Sequence, residues 1–284
     1  MNDKNKRVAA VQMASGPNVG ANLLEAERLI AIAEGEGARL VILPENFALM
    51  GMSETDKVEV REREGQGQIQ EFLADQAGRH KIWLIGGSIP LVADADDKVR
   101  ATSLLFDDQG QQVARYDKIH LFDVEVPDSS EKYTESETIE PGEMPIVVDT
   151  PFGRLGMSIC YDLRFPEQFR EMLNMGAEII SLPSAFTAQT GKAHWEVLVR
   201  ARAIENLSYV IAAAQGGYHA NGRETHGDSM IVDPWGAVLD RLPRGSGVIT
   251  AELDLEYLHG VRTHFPTIDH RRIHCRIDNQ GTSD

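Results

Sequence analysis

Cysteine is almost missing from this sequence: Cys160 and Cys275 are the whole complement in 284 residues. Two thiols build neither a disulfide framework nor a four-thiolate zinc site, so each has to be judged singly. Positive charge is also scarce. Lys plus Arg number 28 against 44 Asp plus Glu, a formal net charge of −16; this disfavours a phosphate-backbone partner, and no nucleic-acid partner is expected. No apolar run approaches the ~20 residues that span a bilayer, so no membrane partner is expected either. The segment "MNDKNKRVAAVQM" lacks the long apolar stretch of a secretory signal, which predicts a cytoplasmic protein. Metal-ligating side chains are not grouped at metal spacing, and neither a metal nor another cofactor is expected. No Pro/Gly/Ser-rich linker divides the chain, which predicts one domain over residues 1–284.

What is present is a pattern that occurs twice. "GARLVILPENF" (Gly37 to Phe47) and "GAEIISLPSAF" (Gly176 to Phe186) align without a gap, and differ after Leu-Pro, where one has Glu45-Asn46 and the other Ser184-Ala185. Around the first copy, periodicity predicts strands at Val8 to Met13, Leu40 to Leu43, 82–91 and about 102–110, with helices over 22–37 and 69–80. Around the second it predicts strands at Leu155 to Ile159, Ile179 to Leu182 and Val210 to Ala214, and helices at Pro166 to Met175 and Trp195 to Leu207. Strands alternating with helices argue an α/β architecture, and the repetition suggests two sheets or two halves packed into one body. The stretch 123–142 has no periodicity; such a loop is either functional or a solvated surface segment.

In open α/β sheets ligands sit beyond the carboxyl ends of strands, which makes polar residues just after apolar strands the first candidates. Glu45 and Cys160 both stand there. In "RLGMSICYDLRFPE" alternation puts Leu155, Met157 and Ile159 on one face and Gly156, Ser158 and Cys160 on the other, which leaves room for a substrate beside the thiol. Pro166 suits a first helical turn, so Cys160 falls at a strand-to-helix turn. A thiol with an ordinary pKa of ~8.5 needs a base or a nearby cation to act as a nucleophile. His120 and Glu45 are both candidate bases, and Lys118 is a candidate cation. Spacing alone does not choose between a Cys-His pair and a Glu-Lys-Cys set. Cys275, in a polar tail, is read as structural.

"LPENF", "YDKIHLFD" and "CYDLRFPE" resemble, in order, the three signature stretches of the nitrilase superfamily of carbon-nitrogen hydrolases. The resemblance covers about residues 7–272 and implies a four-layer αββα sandwich of two sheets with an internal pseudo-repeat. It implies Cys160 as nucleophile, Glu45 as general base and then acid, and Lys118 as the group that stabilises the tetrahedral intermediate together with the Tyr161 backbone N–H. It further implies an auxiliary role for Glu135 and pocket-lining roles for Ser184 and Phe186.

Within the superfamily, "SAFTAQTGKAHWEVLVRARAIENLSYVIAAAQ" and "HGDSMIVDPWG" are most similar to the deaminated glutathione amidase branch. The small-molecule amide expected from this is a glutathione whose glutamyl amine has become a ketone, cleaved to 2-oxoglutarate and Cys-Gly. Its carboxylates call for local cations, with Arg164, Arg202 and Lys192 as candidates. An omega-amidase acting on 2-oxoglutaramate or another short amide is the alternative, and a non-catalytic scaffold of the same fold is the other class. Trp195, Leu198 and Val199 read as a helix stripe of core or subunit contact, and His194 as a capping or packing residue. A homodimer or higher homo-oligomer is expected.

Overall fold

The structure, a computed structural model, describes residues 6–125 and 132–273. The first half runs β1 (Arg7–Gln12), α1 (Val19–Gly35), β2 (Leu40–Ile42), α2 (Asp56–Glu59), α3 (Gln68–His80) and β3 (Trp83–Ile85). Then come β4 (Ile89–Val92), β5 (Val99–Phe106), β6 (Gln112–Asp117), β7 (Asp123–Glu125) and β8 (Lys132–Thr134). The second half has β9 (Ile146–Thr150), β10 (Gly153–Met157), α4 (Pro166–Asn174), β11 (Ile179–Ser184), α5 (Ala188–Asn206) and β12 (Tyr209–Ala214). It closes with β13 (Gly216–Tyr218), β14 (Glu224–His226), β15 (Ser229–Val232), β16 (Val238–Leu242), β17 (Gly247–Glu252) and α6 (Leu255–His264).

One sheet has the order β17-β1-β2-β3-β5-β4, with β6 on β5, and the other β16-β15-β12-β11-β10-β9. Each contains three consecutive parallel strands, β1-β2-β3 and β10-β11-β12, flanked by antiparallel neighbours. β17 completes the first sheet where β9 completes the second, so the last strand returns to the start of the chain. Local geometry repeats as well. Gly37 and Gly176 both adopt φ of +91°, a left-handed conformation that costs glycine little. The following alanines donate back into the preceding helix in the same way, Ala38 to Ala33 and Ala177 to Met172.

Because both faces of each sheet are covered, the parallel strands read as continuous apolar runs. Val8, Ala10, Leu40, Ile42 and Ile85 of one sheet meet Leu155, Met157, Ile179, Tyr209 and Ile211 of the other. The alternate residues Ala9, Val11, Val41 and Leu84 pack under α1 and α3, while Ile180, Leu182, Val210 and Ala212 pack under α4 and α5. Three apolar interlayers therefore separate four layers, helix, sheet, sheet and helix, which is the αββα sandwich expected. Leu198 packs at the edge of the third interlayer, in which Trp195 and Val199 are buried, as their helix stripe predicts.

The structure departs from the expected elements in three places. The single strand expected over 82–91 is two, β3 and β4, because Gly87 turns the chain at φ +54°. The helix expected from Trp195 begins at Ala188, where the Thr187 hydroxyl caps it by accepting from the Thr190 N–H; its first turns, "AQTGKAH", carry no apolar stripe to announce them. The stretch 123–142 is not all loop, since β7 pairs with β8 and a short 3-10 turn follows at Glu135–Glu137. Cys275 lies outside the described residues.

Gly87 also fixes the approach to the sheet's carboxyl edge. A Cβ there would stand 2.0 Å from the Pro44 carbonyl oxygen, so Gly87→Ala is expected to cost about 3 kcal/mol through clash and left-handed strain together. Urea unfolding of the variant with an unchanged m-value would measure it; a loss below about 1 kcal/mol would mean that the two segments separate freely.

Candidate active site

Both sheets present their parallel carboxyl edges to the same cleft. Glu45 lies in the turn after β2, Lys118 directly follows β6, and Cys160 opens a 3-10 turn, Cys160–Arg164, after β10. Lys118 is 1% exposed and Glu45 4% exposed. The Lys118 Nζ donates to Glu45 Oε1 at 3.0 Å and to the two Glu135 oxygens at 2.9 and 2.8 Å. Glu135 also accepts from the Phe122 N–H at 2.7 Å. Cys160 completes the cluster, its sulfur next to the Glu45 carboxylate, the Lys118 ammonium and the Ala185 backbone.

Charge in this cluster is tightly constrained. Burial disfavours the Lys118 ammonium, but the Glu135 and Glu45 carboxylates and the Cys160 sulfur outweigh it and hold its pKa well above the lysine range. Burial likewise opposes the Glu135 carboxylate, yet the adjacent Lys118, with help from Lys57, brings its pKa below the ordinary value. Cys160 moves the other way. Burial, reinforced by the Glu45 charge, pushes the thiol well above its usual pKa, and Lys118 offsets only part of this. The resting thiol is therefore protonated, and a bare thiolate would put a third negative charge beside a single cation. A proton passed from Cys160 to Glu45 leaves the net charge of the cluster unchanged.

The backbone is bent to make this arrangement. Cys160 has φ +46° and Asn46 has φ +56°, both in the left-handed region that costs a non-glycine residue on the order of 1–3 kcal/mol at such sites. Contacts from distant segments hold the bends. Ser88 Oγ accepts from the Asn46 N–H at 2.9 Å, and Gln215 Nε2 donates to the Glu45 carbonyl at 3.1 Å. Asp162, fully buried, accepts from Tyr116 Oη at 2.6 Å, the Ile159 N–H at 2.8 Å and the His120 N–H at 3.2 Å, and bonds His120 Nδ1 at 2.7 Å. One carboxylate thus ties the segment carrying Lys118 to the turn carrying Cys160. Sequence reasoning missed this role, although Asp162 stands inside "CYDLRFPE" two residues after the thiol.

Several expected positions change. His120 is committed to Asp162, lies flat against Phe165 at 3.7 Å between ring centroids, and does not line the Cys160 cavity; it is not placed as the base. Ser184, expected in the pocket, is fully buried, its hydroxyl turned back to the Leu182 carbonyl, while Phe186, expected there too, lines the cavity together with Ala185. The small residues before Cys160 leave no space for substrate: α4 fills it, with Met172 Sδ 2.7 Å from where a Gly156 Cβ would be. Arg202 is structural, donating twice to the Leu163 carbonyl and pairing with Glu205. Lys192 is exposed on α5 and away from the cavity. Arg164 lines the cavity, with its guanidinium 5.1 Å from the Phe186 ring centroid and within 3.1 Å of His194 Nδ1. Tyr161 also lines it. The cavity holds about 340 Å³, open to solvent, and reaches Thr190 and Arg223; Arg223 was not foreseen, because its turn is some sixty residues from the motifs.

A family model described as carbon-nitrogen hydrolase matches residues 7–263. Deaminated glutathione amidase of Yersinia enterocolitica is 43% identical over 270 residues, covering 95% of this chain and 94% of that protein. The protein of the same name from Synechocystis sp. is 46% identical over 266 residues, covering 93% and 97%. Among solved structures, Saccharomyces cerevisiae Nit3, described as a member of branch 10 of the nitrilase superfamily, superposes with a TM-score of 0.84 at 34% identity, covering 94% of this chain and 96% of that one.

The Asp162 contacts generate a test of their own. Asp162→Asn keeps the size but turns an amide N–H₂ toward one set of donors, so stability is expected to fall by about 3 kcal/mol. Chemical denaturation measures this, and a change under about 0.5 kcal/mol would show that the carboxylate does not hold the two segments together.

Proposed function

The chain belongs to the carbon-nitrogen hydrolase family, and from that premise we propose that it is an amidase acting through a Cys160 thioester, with deaminated glutathione as its substrate. The observation that carries the reading is the buried cluster in which one cation, Lys118, is shared by Glu45 and Glu135 beside the Cys160 thiol. Glu45 takes the thiol proton as sulfur attacks the amide carbon, which spares the site an isolated thiolate. The carbonyl oxygen becomes an oxyanion next to the Lys118 ammonium and the Tyr161 N–H, where a low-dielectric site makes their stabilisation strong. Glu45 returns its proton to the nitrogen as the C–N bond breaks and the amine leaves. Water then gives a proton to Glu45 and attacks the thioester carbon; as the C–S bond breaks, Glu45 returns that proton to the sulfur, which releases the acid and restores the thiol and the carboxylate. Glu135 remains ionised throughout and holds Lys118 in position.

The substrate assignment rests on the relatives of that name and on the cavity, where Arg164 faces the space beside Phe186 and pairs with no carboxylate among the described residues. A 2-oxo acid carboxylate is the natural partner for that cation. A cytoplasmic location and a homodimer or higher homo-oligomer belong to the same reading; exposed Trp235 and Phe265, packed edge to face with ring centroids 5.2 Å apart, and exposed Ile204 support subunit contact. Among the described residues no helix is long and apolar enough to cross a membrane.

Competition assays with purified protein test the assignment. Deaminated glutathione is expected to have a higher kcat/KM than 2-oxoglutaramate, intact glutathione or simple nitriles, because a larger ligand offers remote binding energy for the transition state. A kcat/KM for 2-oxoglutaramate equal to or above it would overturn the substrate while leaving the thioester chemistry intact. Cys160→Ala is expected to abolish all turnover and remain folded, and hydrolysis at the wild-type rate would refute the mechanism.

A further inference from the structure

A second cavity, of about 820 Å³ counted to its open mouth, lies against the first, and the two share Asn46, Phe122, Glu135 and Arg223 as walls. Its charged lining comprises Glu54, Lys57, Glu135 and Arg223. Three of these are already partnered: Lys57 bonds Glu54 at 2.6 Å, and Glu135 holds Lys118. Arg223 is different. Its backbone is set by a tight turn, in which its carbonyl accepts from the His219 N–H and its own N–H donates to Asn221 Oδ1. One guanidinium nitrogen donates to the Ala185 carbonyl at 2.8 Å, and the group lies 5.0 Å from the Tyr133 ring centroid. Its Nε is buried without a hydrogen-bond partner, and among the described residues the guanidinium pairs with no carboxylate. A permanently charged guanidinium with no carboxylate partner among the described residues, lining both cavities, is suited to receive an anion.

We propose that Arg223 and the second cavity form the leaving-group subsite, which recognises the carboxylate at the far end of the departing amine. The inference rests on the amidase reading above and extends it. With Arg164 assigned to the acyl side, Arg223, which lines both cavities while Arg164 lines only the smaller, is the cation left for the departing amine. A dipeptide amine spans about 7 Å from its nitrogen to its terminal carboxylate, a reach that carries it out of the smaller cavity into the larger. Arg223 is thus a specificity residue. It distinguishes amides whose leaving group is a carboxylate-terminated peptide from those that release ammonia.

The test compares deaminated glutathione with its analogue carrying a C-terminal carboxamide, and with 2-oxoglutaramate, in wild type, Arg223→Gln and Arg223→Lys. Wild type is expected to prefer the free acid over the carboxamide by about 10- to 100-fold in kcat/KM, the range for a charge-assisted hydrogen bond, mainly through KM. In Arg223→Gln this preference should fall below about threefold, 2-oxoglutaramate should lose less than deaminated glutathione does, and Arg223→Lys should recover part of the preference. Equal turnover of free acid and carboxamide by wild type overturns the subsite, even if the variants fail to fold. An equal loss on all three substrates in Arg223→Gln also overturns it, since that marks a structural residue. No turnover of either glutathione-derived amide by wild type refutes the substrate reading itself and removes the subsite's ligand with it.

Discussion

Lys118 is a buried ammonium shared between two carboxylates, and the rest of the molecule is arranged so that this can exist. An isolated ammonium in such a place would cost several kcal/mol and shed its proton. Glu135 and Glu45 reverse that tendency and keep the charge fixed. With one cation and two anions already present, the cluster has no room for a further negative charge, which is why the neighbouring thiol stays protonated. In the mechanism proposed above, a nucleophile held in its neutral form must be activated at the moment of attack, and Glu45, which bonds the cation and whose charge acts on the thiol, is the group that can do it.

The three contributors come from both halves of a duplicated fold. Glu45 and Lys118 follow strands of one sheet, and Cys160 follows a strand of the other, so the site exists only when the sheets are packed face to face. Duplication supplies two equivalent Leu-Pro turns, and the cleft uses them differently. In the first, the residue after Leu-Pro is a carboxylate aimed at Lys118. In the second, the equivalent Ser184 is turned into its own strand, and the next two residues, Ala185 and Phe186, make the cavity wall. Phe47 packs on Phe72 in the core of the first half, while its counterpart Phe186 rests on Trp195 and offers a face to Arg164.

Much of this was legible in the sequence because the physics involved is local. Strands buried on both faces declare themselves as apolar runs, and a charged or nucleophilic residue just beyond such a run stands out, as Glu45 and Cys160 did. What escaped depends on contacts distant in the chain. The break at Gly87 is set by the Pro44 carbonyl it must pass, the first turns of α5 are set by a Thr cap and an unpatterned segment, and the uses of Asp162 and Arg223 follow from partners in other elements. Ser184 was misread because the repeat aligns it with Glu45, and alignment does not determine which way a short side chain turns. His120 was a reasonable base until its ring proved to be held by Asp162 and Phe165.

The central claim is that Glu45 acts as the proton acceptor for a thiol that its own charge keeps protonated. Those two effects of one carboxylate separate in Glu45→Gln, measured by the pH dependence of Cys160 alkylation alongside amide turnover. Removing the Glu45 charge takes away a cause of the raised thiol pKa, so the alkylation midpoint should move to lower pH and the variant should hold more thiolate at neutrality. Turnover should nevertheless fall by ~10²–10⁴-fold, the scale of a lost general base. An unchanged or higher midpoint, or turnover that rises with the added thiolate, would contradict the account.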